Sequence, residues 1–313
     1  MGKPIVVVGS SNTDMIIKTE HIPRPGETIL GGEFSIAPGG KGANQAVGAA
    51  RAGGQVVFIA RVGEDMFGDQ AVNGFRRDGI VTDAVIRDST RPSGVALIFV
   101  DQKGENSIAV ASGANANLSP DDIRRHQDRI IGAEILIMQL ETPLPTVRTA
   151  AEIASTHGVR VILNPAPAQP LGDELLRHIS ILTPNETEAE QLTGIPVEDE
   201  TSAEKAAQAL RDKGPAIVLI TLGARGVFVV SPEFQGTIPS FPVKPVDTTA
   251  AGDIFNGALA VALAEKKPLP EAVRFANAAA ALSVTKLGAQ TSAPRREEID
   301  AFLAGNNKRP VLS

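Results

Sequence analysis

The chain has 313 residues, 42% of them hydrophobic and 21% charged, which suits a globular protein with a sizeable core, either two units or one large α/β domain with an insertion. A net charge of −6 without a basic stripe argues against non-specific binding to nucleic acid or membrane surfaces. The absence of cysteine excludes disulfides, thiolate nucleophiles and cysteine-ligated metal centres. The first predicted element, Ile5–Val8, is a short β-branched run ending at Gly9. It is too short for a secretory or membrane-spanning segment, so a cytoplasmic location is expected. Similar buried strands are predicted at Val56–Ala60, Ile135–Met138, Val159–Leu163, Ile179–Leu182 and Ile217–Thr221. Helical patterns fall between them at Ala43–Ala52, Phe67–Asp78, Pro120–Ile131, Pro143–Thr156, Glu186–Leu192 and Ser202–Lys213. Three more follow at Ile254–Glu265, Leu269–Thr285 and Arg296–Ala304, before a tail, Asn306–Ser313, expected to fray.

Strands alternating with helices predict βαβ units and a mainly parallel sheet covered on both faces, a Rossmann-like three-layer α/β domain. Two stretches interrupt this rhythm. Residues 15–36 hold Ile16-Ile17, a turn at Pro23–Gly26 and then Thr28-Ile29-Leu30; residues 94–111 alternate around Lys103-Gly104-Glu105. Both read as hairpins. They are expected to form either a small β-sheet lid or an edge extension of the main sheet. On the lid reading, residues 1–14, 37–93 and 112–313 form the large catalytic domain, and residues 15–36 and 94–111 the small one.

Five motifs carry chemistry. Asp247-Thr248-Thr249-Ala250-Ala251-Gly252-Asp253 precedes a helix, where small residues and free amides suit an anion. Asp253 there is placed either as a general base or as an ordinary first-turn acid. Pro38-Gly39-Gly40-Lys41-Gly42-Ala43-Asn44 also precedes a helix, and it is not a Walker A loop. Its glycine density is not expected from packing and suggests a backbone wrapped around a polar ligand. Ser10–Asp14 ends the first strand, where open α/β sheets bind ligands, so Asn12 and Asp14 are candidates for sugar recognition, with an Asx turn as the plainer reading. Thr183–Glu188 reads as a capping box of Asn185 with Glu188 or as a metal–phosphate contact, and Thr221–Gly226 as a hairpin or a nucleotide-facing loop. The four histidines fall in no motif, and Met66-Phe67 reads as a core contact.

In this order, together with Met138–Glu141 and Asn164–Pro167, the motifs resemble the phosphofructokinase-B-type carbohydrate kinase family over nearly the whole chain. The resemblance implies a ribokinase-like fold and ATP-dependent phosphorylation of a sugar, D-ribose at O5, to D-ribose 5-phosphate. It implies that Asp253 is the catalytic base and that Ala250, Ala251, Gly252 and Asp253 form an anion hole. Asn12, Asp14, Gly40, Lys41, Asn44 and Glu141 would contact the sugar. Asn185, Thr221, Gly223, Gly226, Gly252 and Asn277 would lie near ATP, and Glu188 near its Mg2+. A monovalent cation, K+, would be held by Asp247, Thr249, Ser283, Lys286, Gly288 and Ser292. Ile254 departs from the threonine common in the family after the catalytic aspartate. A homodimer through the lid is also implied. The alternatives are a deoxyribose or other sugar kinase, a nucleoside kinase, or a non-catalytic sugar- or nucleotide-binding sensor. A nucleoside kinase is disfavoured because the two inserted stretches offer only Phe34 and Phe99 for stacking, in a chain with no tryptophan or tyrosine.

Overall fold

The computed structural model describes residues 2–306, so the expected fraying beyond Asn306 lies outside the described residues. The chain runs β1 (Ile5–Val8), β2 (Asn12–Lys18), β3 (Glu33–Gly39), α1 (Lys41–Arg51), β4 (Val56–Gly63), α2 (Met66–Arg77), β5 (Val85–Asp88), β6 (Gly94–Val100) and β7 (Asn106–Ala111). It continues through α3 (Pro120–Arg125), α4 (Gln127–Ile131), β8 (Ile135–Met138), α5 (Leu144–Thr156), β9 (Arg160–Leu163), α6 (Asp173–Leu176), β10 (Ile181–Leu182), α7 (Glu186–Thr193) and α8 (Glu200–Arg211). The last elements are β11 (Ile217–Thr221), β12 (Val227–Val230), β13 (Gln235–Ile238), α9 (Ala251–Ala264), α10 (Leu269–Ser283) and α11 (Arg296–Gly305). No helix among the described residues is long and apolar enough to cross a membrane.

Nine strands form the main sheet in the order β13-β12-β11-β10-β9-β8-β1-β4-β5. Pairing is parallel from β5 through to β11, and antiparallel only where β12 and β13 close one edge. Alternation along each strand divides the core in two. Ile5 and Val7 join the side chains of α1, α9 and α10, whereas Val6 and Val8 join those of α5 and α8 on the other face. This is the expected three-layer arrangement. The helix expected over Pro120–Ile131 breaks at His126, and Ile179–Leu182 contributes only Ile181–Leu182 to the sheet.

A second sheet has the order β3-β2-β6-β7, with β2 and β6 parallel and the two outer pairs antiparallel. It is a separate sheet rather than an extension of the main one. The strand expected near Thr28-Ile29-Leu30 begins instead at Glu33, after Gly31 and Gly32, both at positive φ, have turned the chain; Leu30 is left 92% exposed. Met66 corrects the core reading of Met66-Phe67. It opens α2 and is 61% exposed, while Phe67 borders a surface cavity.

α9 is buried on nearly every side between α1 and α10 because its residues are almost all apolar. Gly257 allows this. A Cβ there would stand 2.6 Å from both the Ala49 amide nitrogen and the Gln45 carbonyl oxygen, so α1 and α9 touch backbone to backbone. Ile254 fills the same contact, with its Cδ1 packed beside Gly48. The departure at this position is therefore absorbed as packing. The close crossing brings the start of α1 against the start of α9.

Candidate active site

The polar groups gather where strands end. β1 runs into Ser10-Ser11, β8 into Gln139, β9 into Asn164 and β10 into Thr183, all buried. In an open parallel sheet this carboxyl edge is the ligand-binding edge. Gly39, Gly40 and Gly42 link it to α1, and their reason is packing within the protein, contrary to expectation. A Cβ on Gly39 would overlap the Asp14 carboxylate at 2.2 Å, and one on Gly42 would sit 2.5 Å from the Ser10 amide nitrogen. Gly40 has φ +88 and abuts the backbone of Ser11 and Asn12. The glycines fold the loop tightly under the second sheet, and Lys41 and Asn44 follow at the start of α1.

Asp253 lies in the first turn of α9 and is 5% exposed. Asn44 Nδ2 donates to its Oδ2 at 3.0 Å, and Gln45 Nε2 to its Oδ1 at 2.9 Å. Burial pushes the Asp253 carboxyl up from the usual aspartate range, against the opposing pull of Lys41, Asn44 and Gln45. Ala250, in the left-handed region at φ +60, starts the helix without a side-chain cap. The Ala251 amide bonds to the Thr248 carbonyl, while the amides of Gly252 and Asp253 find no backbone acceptor. Free first-turn amides beside a helix dipole are a site for an anion. Gly252 has no atom within 4 Å of where a Cβ would stand, and its φ lies outside the positive region, so its own fold does not demand glycine.

This cleft, of about 180 Å³, is lined by Lys41, Asn185, Glu188, Thr221 and Ala250–Asp253 among others. Asn185 and Glu188 form the expected capping box and also face the cleft. Burial raises the Glu188 carboxyl. At Lys41 burial favours loss of the proton, but Asp253, Glu141 and Glu188 prevail and raise the ammonium. A neighbouring groove of about 380 Å³ holds Asn12, Val110, Glu141 and Thr142. Glu141 accepts from the Ser10 hydroxyl at 2.5 Å and from the Lys41 amide at 3.0 Å, so Lys41 ties the two spaces together. Asp14 is raised to about 6 by burial, then by Glu141 and Asp253. A larger cavity of about 540 Å³ lies between α2 and the root of the second sheet, lined by Arg51, Phe67 and Arg77, with neither Asp253 nor the free amides near it. Carboxylate and free amides converge in the smaller cleft.

Other expected positions lie apart. Asn277 Nδ2 is held by the carbonyls of Ile238 and Pro239, away from the Asp253 cleft. Gly223 and Gly226 close the β11–β12 hairpin around a short 3-10 turn, and of that motif only Thr221 lines the cleft. Asp247 accepts from the amides of Thr249 and Gly288 and so joins the loop before α9 to the loop after α10. Gln45, Asn164, Thr183 and Asn256 surround Asp253 or its helix, although no sequence motif gave them a role. Their signal is polarity in an apolar setting: Asn164 and Thr183 each follow an apolar strand, and Asn256 stands alone inside an apolar helix.

The pfkB family carbohydrate kinase model matches residues 3–296. The ribokinase of Haemophilus influenzae is 52% identical over 303 residues, covering 97% of this chain and 99% of its own. Among solved structures, ribokinase from Thermotoga maritima aligns with a TM-score of 0.88 at 42% identity, covering 96% of this chain and 99% of that one. Arabidopsis thaliana ribokinase complexed with ribose and ATP aligns with a TM-score of 0.89 at 36% identity, covering 97% and 99%. A match of this extent, on a sheet, loop and helix start arranged as described, settles the kinship: the chain belongs to the pfkB family of carbohydrate kinases.

Proposed function

We propose that this chain phosphorylates D-ribose at O5 with Asp253 as the general base. It is an ATP-dependent sugar kinase with ATP:D-ribose 5-phosphotransferase activity, the activity named for relatives 43% and 52% identical over nearly their whole length. The observation that supports the base is the Asp253 carboxylate, clamped by Asn44 and Gln45 beside two unpartnered amides. Phosphoryl transfer needs in-line positioning and charge stabilisation more than covalent help from the protein. Asp253 takes the proton of the attacking hydroxyl, and the Gly252 and Asp253 amides hold the charge on the phosphoryl oxygens. Asn12, Asp14, Gly40, Lys41, Asn44 and Glu141 hold the sugar. Asn185, Thr221, Gly223, Gly226 and Asn277 serve the nucleotide.

Among the described residues no cluster of three or more acidic or histidine side chains could hold a metal ion. Mg2+ would therefore take most of its ligands from the triphosphate and water, with Glu188 and Asn185 nearby, and would neutralise phosphate charge. Asp247, Thr249, Ser283, Lys286, Gly288 and Ser292 would hold K+, largely through backbone carbonyls. Lys286 pairs its ammonium with Glu298, so its carbonyl is the group it would offer to a cation. A coupled assay across ribose, 2-deoxyribose, fructose and adenosine, with and without potassium, should give the highest kcat/KM with ribose plus potassium. Preference for 2-deoxyribose or adenosine would overturn the substrate assignment.

The second sheet serves as a lid and a dimer interface. Cross-strand partners share a face, so Asp14, Ala96 and Val110 point one way and Met15, Ile36, Leu97, Ile17, Phe34 and Phe99 the other. Val110 lies in the groove with Glu141, which identifies the first as the inner face. On the outer face Phe34, Ile36 and Leu97 are 62%, 49% and 50% exposed. An apolar sheet face of this kind marks an association surface. A second copy covers it face to face. Sedimentation at micromolar concentration should show a dimer, and Leu97→Lys should shift it toward monomer; a wild-type monomer would contradict this assembly.

A further inference from the structure

Behind Asp253 lies a chain of side-chain amides, of which the reaction as described uses only the Gln45 contact with the carboxylate. Gln45 is fully buried; its Nε2 donates to Asp253 Oδ1 at 2.9 Å and to Asn164 Oδ1 at 3.2 Å. Its Oε1 accepts from Gln139 Nε2 at 2.6 Å. The orientation of each amide follows from one backbone group. Asn164 Nδ2 donates to the Thr183 carbonyl at 3.0 Å, and a carbonyl only accepts. Asn164 must then turn its oxygen toward Gln45, and Gln45 must answer with its NH2. Gln139 enforces the same orientation from the other side by offering a donor to Gln45 Oε1. It does so at a cost. Its own Oε1 is buried without a partner among the described residues, against Gly9, where a Cβ would come within 2.1 Å. Buried unpaired acceptors are rare and call for a reason. Here the reason is that the opposite orientation of Gln139 would set its oxygen against Gln45 Oε1 and favour turning the Gln45 amide over.

We infer that Gln45 is a positioning residue, its amide locked by Gln139 and Asn164 so that an N–H always faces Asp253 and holds it as an aimed carboxylate. This inference rests on Asp253 being the base. Without the lock, Gln45 could turn its oxygen toward Asp253, and two acceptors in contact would favour the protonated acid, which is useless as a base. The charged groups that also face Asp253 are Lys41 from α1, which favours the carboxylate, and Glu141, Glu188 and Asp14, which oppose it. Gln45 and Asn44 thus supply directed support against burial and three acids.

The test is the pH profile of kcat at saturating ribose and ATP, with ribose KM and thermal stability measured alongside, in the wild type, Gln45→Met, Gln45→Glu, Gln139→Met and Gln139→Glu. Gln45→Met should move the acid limb upward by about one pH unit, so that kcat falls about tenfold at pH values below the wild-type limb and less at higher pH, as expected for losing a hydrogen bond to a charged group. Gln45→Glu, nearly isosteric, should move the limb further, because it sets a second carboxylate beside the first. Gln139→Glu can only accept when ionised; it should rotate the Gln45 amide and move the limb in the same direction, more than Gln139→Met does. Ribose KM should stay within about threefold, since neither residue lines the sugar groove. A merely structural role predicts a loss of kcat equal at every pH, and that result, or an unmoved limb in Gln45→Glu, overturns the inference. If the Gln45 variants fail to fold, the Gln139→Glu profile decides alone. Should Asp253→Asn keep near-normal turnover, the base reading itself has failed; should it be inactive while the limbs stay fixed, only the amide lock has.

Discussion

Asp253→Asn should lower kcat at least about a hundredfold, the contribution of a positioned general base, while the dissociation constant for ribose stays within a few-fold of wild type. The substitution removes a carboxylate that can accept the hydroxyl proton and is held from two sides. It keeps the side-chain shape, but it replaces one of two acceptor oxygens with a donor, so either Asn44 or Gln45 is left facing an NH2 group. That lost hydrogen bond is offset by relief of a buried charge. Stability should therefore change little while turnover collapses. Calorimetric titration with ribose alongside a coupled assay separates the two. Near-normal kcat would remove Asp253 from its role.

Asp14→Asn should stabilise the folded protein and weaken ribose binding together. Its carboxyl is raised from 3.8 to about 6 by burial first and then by Glu141 and Asp253. A carboxyl whose folded pKa exceeds its unfolded value contributes stability fully below the unfolded pKa and loses it as pH rises through the folded one. Above pH 6 the ionised Asp14 therefore costs the fold at most about 3 kcal/mol, and about half of that once its residual hydration is allowed for. Urea unfolding should show Asp14→Asn more stable than wild type at pH 8, with the difference vanishing toward pH 4. Ribose affinity should fall about ten- to a hundredfold at neutral pH, the worth of a charge-assisted hydrogen bond. Equal stability of the two proteins at pH 8 would mean that Asp14 carries no such strain.

Such strain is invisible in a sequence, which has no burial, and this explains which parts of the site could be read in advance. Asp253, Asn44 and Glu188 stood out because they sit at helix starts beside small residues, a one-dimensional pattern. Gln45 and Gln139 lie 94 residues apart and act only through contact, so spacing gives no hint of them. The glycines of residues 39–42 were visible, but their cause was not: it is the Asp14 carboxylate and the Ser10 backbone, brought close by pairing of β2 with β3. The sheet shows the same division. β1, β4 and β8 are continuous apolar runs and legible as buried strands. β5 and β13, at the two edges, carry sequences such as Val85-Ile86-Arg87-Asp88 and Gln235-Gly236-Thr237-Ile238, which only their neighbours make into strands. Met66 was misread for a related reason. An apolar side chain at a helix start has no assigned direction until the helix is docked.

The reading of Asp253 as a base is tested most directly by phosphoryl transfer as a function of pH at saturating ribose and ATP. Wild-type turnover should fall on the acid side with a group titrating above the ordinary aspartate value, because burial holds the Asp253 carboxyl high. The residual turnover of Asp253→Asn should lack that limb. If the variant keeps the same acid limb as wild type, the titrating group is another residue, and Asp253 is not the base.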